Sequence, residues 1–194
     1  MSEYQLKTPV GDDVISKLKI GDIIYLTGTI FTARDEAHVE LIKHGGIPGF
    51  DMTGLGLYHC GPVMINEFGE WRAISAGPTT SFRMESLEPK FLDMFPVKII
   101  IGKGGMGDAT LEALKRHVAV YVSFTGGAGA LAAKGLGKVS GVHFLEELGM
   151  PEAVWIFEAV NFGPLIVSMD HHGHSLYKNV DRESREKLAR LLSE

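Results

Sequence analysis

Val97-Lys98-Ile99-Ile100-Ile101-Gly102-Lys103-Gly104-Gly105-Met106-Gly107 is a short apolar run that leads directly into a glycine-rich loop. Such a run is typical of a strand buried on both faces of a sheet, and a helix is predicted after it from Asp108 to His117. The unit then repeats as a strand over Val118 to Phe124, a loop over Thr125 to Gly129, and a helix over Ala130 to Lys134. Two successive strand–glycine loop–helix units predict an α/β domain with parallel strands.

A similar unit precedes this stretch near the N-terminus. Asp22 to Ile30 is rich in β-branched and aromatic residues, which predicts a strand. Thr32 is in a position to cap the next helix, with Asp35 three residues later as its capping-box partner. This helix is expected to stop before Gly45.

A third strand–helix connection contains three consecutive hydroxyl residues. Trp71 to Ala76 predicts a strand, and Ser81 to Phe95 predicts a helix that is kinked or interrupted at Pro89. The residues Thr79-Thr80-Ser81 stand where a helix cap belongs. Arg83 follows within the first turn, four residues after Thr79. The free amides of a helix start favour anions, so this segment is suited to hold a carboxylate.

The C-terminal third adds one strand and one helix. Val154 to Ser168 is strand-like, with an expected break near Asn161 to Pro164. Asp181 to Leu192 predicts a charged helix with its leucines, Leu188, Leu191 and Leu192, on the inner side. Because the chain contains no repeat, low-complexity tract or linker, we expect one domain over residues 1–194, with 181–194 as its terminal helix.

Composition limits the function classes. The formal net charge of −5 argues against nonspecific nucleic-acid binding. One cysteine, Cys60, excludes an internal disulfide framework and fits a reducing compartment. No apolar run is long enough to span a membrane, and Met1 to Pro9 does not resemble a signal peptide, so a cytoplasmic protein is expected.

Three cations stand in equivalent positions. Arg34, Arg83 and Lys103 each follow a strand, at or near a helix start. If the three meet at one edge of the sheet, they would suit a small di- or tricarboxylate, with bidentate arginine contacts. On local pattern alone, a solvated residue at a helix start is the favoured explanation for Arg34 and Arg83, and it explains Lys103 equally well.

Other motifs are weaker. Gly102 to Gly107 matches neither a P-loop nor a dinucleotide-binding fingerprint. His171, His172 and His174 are expected to be solvated turn residues rather than metal ligands. Cys60 alone cannot supply the thiolates of an iron–sulfur cluster, so we assign no metal ligand to this chain.

Several motifs in order resemble one family, the β subunit of the class I iron–sulfur fumarate hydratases and L-tartrate dehydratases, which also forms the C-terminal domain of single-chain class I fumarases. The resemblance runs from about Lys7 to about Tyr177. Its order and spacing make it more specific than any single motif. The motifs are Tyr25-Leu26-Thr27-Gly28-Thr29, Ala33-Arg34-Asp35, Gly61-Pro62, Gly77-Pro78-Thr79-Thr80-x-x-Arg83-Met84, Lys103-Gly104 and Gly149-Met150-Pro151-Glu152.

The resemblance implies a swivelling-type β/β/α domain that packs on a separate α subunit. That subunit carries three cysteines holding a [4Fe-4S] cluster whose open iron binds substrate. By motif match, the substrate-carboxylate arginines fall on Arg34 and Arg83, and the substrate lysine falls on Lys103. The proposed base for the C3 proton falls on Thr79, for which a hydrogen-bonding or relay role remains the alternative.

The implied reaction is the reversible hydration of fumarate to (S)-malate, with L-tartrate dehydration to oxaloacetate as the alternative. A non-catalytic binding or assembly module is a third possibility, against which the joint presence of the four residues counts. The implied partners are the α subunit and a dicarboxylate. An isolated chain is expected to expose the face meant for the α subunit and to self-associate.

Overall fold

A computed structural model describes residues 1–193. Within them lie seven α-helices, nine strands and one 3-10 turn over Ser81–Met84. The helices are α1 Asp12–Ile15, α2 Asp35–His44, α3 Glu88–Met94, α4 Asp108–His117, α5 Gly129–Leu136, α6 Leu145–Leu148 and α7 Leu176–Ser193. The strands are β1 Glu3–Lys7, β2 Ile23–Thr32, β3 Gly56–Tyr58, β4 Val63–Glu67, β5 Glu70–Ser75, β6 Ile99–Gly102, β7 Val120–Ser123, β8 Lys138–His143 and β9 Val154–Met169.

The main sheet closes on itself. Its strand order is β1-β2-β3-β6-β7-β9-β8, and β9 also pairs with β2. The pairings from β1 through β7 are parallel, whereas β9 runs antiparallel to β2, β7 and β8. Because β9 is 16 residues long, it reaches both ends of the ring formed by β2, β3, β6, β7 and itself. The chain is therefore an α/β domain with a parallel layer, as its sequence predicts.

The side chains of Ile99, Ile100 and Ile101 point alternately into two hydrophobic cores. Ile99 and Ile101 belong to one buried cluster together with Trp155 and Phe157. Ile100, one residue along, belongs to the other cluster, which contains apolar residues of α2, α3 and α4. Successive side chains of a strand point to opposite faces, so a strand with a core on each side must be apolar throughout.

The predicted helix from Ser81 to Phe95 is two separate pieces. The 3-10 turn ends at Met84, and α3 begins at Glu88, with Pro89 in its first turn. The interruption expected at Pro89 is confirmed, since a proline fits the first turn of a helix but not its interior. The strand predicted before it is β5, which pairs with β4 in a separate hairpin.

The capping role predicted for Thr32 is wrong. Thr32 does not cap α2: the N-cap is Arg34, and no side chain caps this helix. The Thr32 hydroxyl lies inside the fold, where it accepts a hydrogen bond from the Trp155 amide at 3.0 Å. The predicted end of the helix is confirmed, because Gly45 takes the left-handed conformation (φ 72°) that favours glycine.

The structure of the C-terminal region also differs from the prediction made from its sequence. The predicted break in β9 is a distortion at Asn161 (φ 50°) within a continuous strand. The terminal helix α7 begins earlier than expected, and its side chains Leu188, Leu191 and Leu192 are 56%, 71% and 79% exposed, so placing them on an inner side was wrong. Residue 194 lies outside the described residues. Across residues 1–193, no helix is both long and apolar enough to cross a membrane.

Candidate active site

Two of the three predicted cations meet at one carboxylate. Arg83 contacts Asp35 twice, from Nη2 to Oδ2 at 2.8 Å and from Nε to Oδ1 at 3.2 Å. Nη2 of Arg34 lies 3.9 Å from the same Oδ2. The two arginines are 49 positions apart in sequence and come from different elements, α2 and the 3-10 turn. Asp35 therefore holds both guanidinium groups at one place on the surface.

Arg34 lies over a glycine that leaves room for it. A Cβ added at Gly61 would come within 2.9 Å of both Cδ and Nη1 of Arg34, and within 2.5 Å of the Pro151 carbonyl oxygen. Nε of Arg34 contacts Glu152 at 3.1 Å, and burial raises the pKa of that carboxyl despite the nearby arginine. The Gly61-Pro62 and Gly149-Met150-Pro151-Glu152 motifs thus meet at the Arg34 side chain.

Thr79 is held by its backbone. Its amide donates to the His59 carbonyl oxygen at 2.8 Å, and Pro78 forms an antiparallel bridge with Cys60. The segment before the 3-10 turn therefore lies along the chain that continues from β3. None of the hydroxyls of Thr79, Thr80 and Ser81 caps the turn, which corrects the predicted capping role. Within residues 1–193, no protein group hydrogen-bonds to the Thr79 hydroxyl, and the side chain is partly exposed.

Lys103 joins the same segment from the end of β6. Thr80 and Lys103 form a parallel bridge, in which the Ser81 amide donates to the Lys103 carbonyl oxygen at 3.1 Å. The Lys103 amide donates in turn to Ser81 Oγ at 3.2 Å. Gly102 permits this approach, since a Cβ there would lie 1.8 Å from Ser81 Oγ. The structure thus brings Arg34, Thr79, Arg83 and Lys103 to one edge of the sheet.

At the start of α4, after the glycine-rich loop, the groups that could bind an anion are already hydrogen-bonded to Glu85. The Glu85 carboxylate accepts hydrogen bonds from the Gly107 amide at 2.7 Å and from the Thr110 amide and hydroxyl at 3.2 and 2.6 Å. These are the groups that would otherwise bind an external phosphate at this helix. The loop is therefore a support for Lys103 and not a phosphate site.

A fully buried polar cluster lies beneath the four residues. His38, His59 and Glu88 have no exposed side-chain surface, and Nε2 of the two histidines lies 3.4 and 3.0 Å from Glu88 Oε2. Burial by itself raises the pKa of Glu88, but the interactions with His59 and His38 outweigh it and hold the pKa below its usual range. No sequence motif predicted this cluster. Its only local signal is that His38 stands one helical turn after Arg34.

The chain is not suited to hold an iron–sulfur cluster. Cys60 is buried, and burial raises the pKa of its thiol well above the usual range, so it does not supply a thiolate. Among residues 1–193, the group with metal-ligand atoms close together is His38, His59 and Glu88, and it contains no sulfur. The three cysteine ligands of such a cluster would therefore have to lie outside these residues.

The four site residues lie on an open surface. Among residues 1–193, none of the four lines any of five cavities of about 260 to 590 Å³. Arg83 is 55% exposed, and the adjacent Phe82 is 61% exposed. Small-molecule sites are usually concave, so this open edge by itself forms only part of such a site.

Comparison with known proteins gives the same family along the whole chain. Residues 1–180 match the family described as Fumarase C-terminus. A Methanocaldococcus jannaschii protein, provisionally named L(+)-tartrate dehydratase subunit beta, is 46% identical, with 98% of each chain covered. The Escherichia coli K12 protein named L(+)-tartrate dehydratase subunit beta is 40% identical, covering 97% of this chain and 95% of the relative. A Geobacillus stearothermophilus protein, provisionally named fumarate hydratase class I, is 41% identical over 96% of this chain and 36% of its own length. The chain therefore belongs to the Fumarase C-terminus family, among the β subunits of fumarate hydratases and tartrate dehydratases.

Proposed function

We propose that this chain is the β subunit of a hydro-lyase that hydrates fumarate to (S)-malate, and that it is active only with an α subunit. The observation that carries the proposal is the shared Asp35 carboxylate, which holds Arg34 and Arg83 beside the segment that bears Thr79 and Lys103. The names of the relatives support the reaction class, since they are dehydratases and hydratases.

In this proposal, the three cations bind the two carboxylates of the substrate. Guanidinium groups recognise carboxylates in bidentate geometry, and two adjacent guanidiniums and one ammonium fit a dianion. The same cations serve the reaction, because negative charge accumulates on the carboxylate next to the carbon that loses its proton. Fixed positive charge at this place stabilises the transition state more than the ground state.

Thr79 is proposed as the group that takes this proton. Its hydroxyl makes no hydrogen bond to residues 1–193 and stands at the edge where the cations meet. A threonine alkoxide is too basic to form unaided at neutral pH, so the neighbouring cations must lower its pKa or the hydroxyl must pass the proton on. The sequence leaves both roles open.

The proposed [4Fe-4S] cluster belongs to the α subunit, because the only cysteine of this chain is buried and protonated. The relatives are named as beta subunits, which supports a partner chain. The open site edge and the exposed Phe82 favour a surface that the α subunit covers. A cytoplasmic location is part of the proposal, because a single unpaired cysteine fits a reducing compartment.

Tartrate is the second candidate substrate. Two whole-length relatives bear the name of tartrate dehydratase, at 46% and 40% identity, against 41% for the fumarate hydratase, so identity does not favour either substrate. Tartrate differs from malate by one hydroxyl. A site built to hydrogen-bond this hydroxyl would reject malate strongly, whereas a site without such a group would discriminate weakly.

The test is anaerobic co-expression of this chain with the α subunit, followed by assays with fumarate, malate and L-tartrate side by side. We expect turnover by the complex and none by this chain alone. Arg34→Ala should lower kcat/KM by about tenfold to a hundredfold, the cost of losing one charged contact. Arg116→Ala is the matched control, since Arg116 binds Asp93 on the surface away from the site. A complex that turns over none of the three substrates would refute the proposal and favour a binding or assembly module.

A further inference from the structure

His38, His59 and Glu88 come from three different elements and meet below the site. They lie in α2, in the segment after β3, and in the first turn of α3. Nε2 of each histidine and both carboxylate oxygens of Glu88 are buried without an aligned hydrogen-bond partner among residues 1–193. Buried polar atoms in this state are costly unless charge or hydrogen bonds compensate them. The cluster therefore has to be balanced by a bound proton or a bound cation.

The contacts of His38 favour a proton. Its Nδ1 lies 2.7 Å from the Arg34 carbonyl oxygen, and because a carbonyl only accepts, Nδ1 carries a hydrogen. A neutral His38 would then have a bare lone pair on Nε2, which faces a carboxylate oxygen at 3.4 Å. Two acceptors at this distance repel one another. A second proton on Nε2 removes the repulsion and makes His38 an imidazolium beside the Glu88 carboxylate.

The contacts of His59 favour a neutral ring. Ser81 Oγ receives the Lys103 amide and can donate its own hydrogen to His59 Nδ1 at 2.9 Å. The single proton of His59 is then on Nε2, the nitrogen that lies 3.0 Å from Glu88 Oε2. Burial lowers the pKa of His59, which favours the neutral form, although Glu88 opposes the shift. The hydroxyl of the buried Tyr121 lies 3.0 Å from Ser81 Oγ. It can donate its hydrogen to the Gly104 carbonyl oxygen, at 2.9 Å, instead of to Ser81.

The charge balance also favours a proton over a metal ion. One carboxylate with one imidazolium is neutral, which is the least costly state for a buried group. A divalent cation would leave a net positive charge directly below Arg34, Arg83 and Lys103. The charge of Asp35 acts to raise the pKa of His59, and this carboxylate is already shared by the two arginines.

The two histidine residues of the cluster each contact the backbone of a site residue, and Glu88 lies between their rings. His38 binds the carbonyl of Arg34, and the His59 carbonyl accepts the Thr79 amide at 2.8 Å. Through Ser81 Oγ, the His59 ring also reaches the amide of Lys103. We propose that His38, His59 and Glu88 form a buried proton-bridged network, with His38 as imidazolium, that positions Arg34, Thr79 and Lys103 for catalysis. The kinetic part of this inference rests on the proposed function, whereas the protonation states do not.

The first test is nitrogen-15 NMR of this full chain with labelled histidine. We expect His38 to carry two ring protons and His59 to carry one, on Nε2, with each signal assigned by its loss in His38→Gln and His59→Gln. In Glu88→Gln, which keeps the shape but removes the charge, His38 should lose its second proton. A neutral His38 in the unmodified chain would overturn the inference. So would one stoichiometric metal ion per chain that is absent from His38→Gln.

The second test is the kinetics of the complex with the α subunit. Glu88→Gln should lower kcat by about tenfold or more, because displacing reacting groups by about 1 Å costs on the order of 100-fold. Ser81→Ala, which removes the hydroxyl that joins the His59 ring to the Lys103 amide, should raise KM more than it lowers kcat. His117→Gln is the control, since His117 binds Asp93 on the surface. If the unmodified complex is active and Glu88→Gln matches this control, the positioning role is wrong. If the unmodified complex is inactive, the proposed function fails, while the NMR result still decides the network.

Discussion

Arg83 and Asp35 form a two-point ion pair, with Nη2 to Oδ2 at 2.8 Å and Nε to Oδ1 at 3.2 Å. Asp35 is also the residue directly after Arg34, so one carboxylate sets the position of both proposed substrate-binding arginines. We expect Asp35→Asn in the complex to raise KM about tenfold, equivalent to about 1.4 kcal/mol of lost preorganisation. Steady-state kinetics would measure this change. Asp93→Asn, which breaks a similar surface pair with Arg116, should leave KM unchanged, and an equal effect of the two variants would contradict the role of Asp35.

Substituting Thr79 and, separately, its exposed neighbour Thr80 distinguishes a proton-transfer role of the Thr79 hydroxyl from a packing role. Thr79→Ala should lower kcat by about 100-fold or more, the lower bound for losing a positioned general base, with KM within about threefold. Thr80→Ala should leave both constants close to those of the unmodified complex. Single-turnover kinetics would isolate the chemical step. A Thr79→Ala complex with near-normal kcat would exclude the base and the relay alike.

Gly102 is predicted to tolerate no side chain. A Cβ there would lie 1.8 Å from Ser81 Oγ and 2.9 Å from the Tyr121 hydroxyl, so Gly102→Ala must displace the segment that joins Thr79 to Lys103. We expect a loss of about 1–3 kcal/mol in the free energy of unfolding, measured by urea denaturation. Gly77→Ala is the comparison, since its Cβ would meet only Gly129 Cα at 3.7 Å and should cost less than about 0.5 kcal/mol.

Cys60 should be chemically silent in the folded chain. Burial raises the pKa of its thiol, although Arg34 opposes the shift, so little thiolate is available to react. A thiol-specific reagent should modify no cysteine in native buffer and one per chain in urea. Rapid labelling of the native chain would show that the segment around Cys60 opens to solvent.

The lowered pKa of the buried Glu88 carboxyl should contribute to acid denaturation of the chain. Its pKa is lowered from 4.5 to about 2, so between these values the unfolded chain binds the proton first. The stability contributed by Glu88 is therefore complete above about pH 4.5 and is lost as the pH falls toward 2. Urea unfolding between pH 2 and 6 should show a steeper fall for the unmodified chain than for Glu88→Gln. Parallel pH dependences of the two proteins would contradict a depressed pKa.

Much of the α/β layer follows from local pattern. The helix predicted from Asp108 to His117 has these bounds in the structure, and the apolar run before it is the fully buried strand β6. Such elements are predictable because a strand between two cores must be apolar throughout, and this helix has a glycine before its start and basic residues in its last turn. Strands β1 and β8 were not predicted, because edge strands with polar or glycine residues lack this pattern.

The polar interior was not predictable by the same means. Thr32 and Ser81 have the residue types of helix caps, yet both hydroxyls bind partners far away in sequence, at Trp155 and at His59 and Lys103. A hydroxyl near a helix start satisfies the local rule in either case. Only the packing of β9, β3 and β6 around it decides which partner it takes.

The sequence by itself determined the family and the α/β class, because motif order and hydrophobic period are properties of the chain alone, and it predicted Arg34, Thr79, Arg83 and Lys103 as site residues. The tertiary structure decided that Asp35 joins Arg34 to Arg83, and that His38, His59 and Glu88 meet beneath Thr79. The members of that cluster are 21 to 50 positions apart in sequence. Buried charge has no periodicity, and its partners are fixed only when distant elements close around it.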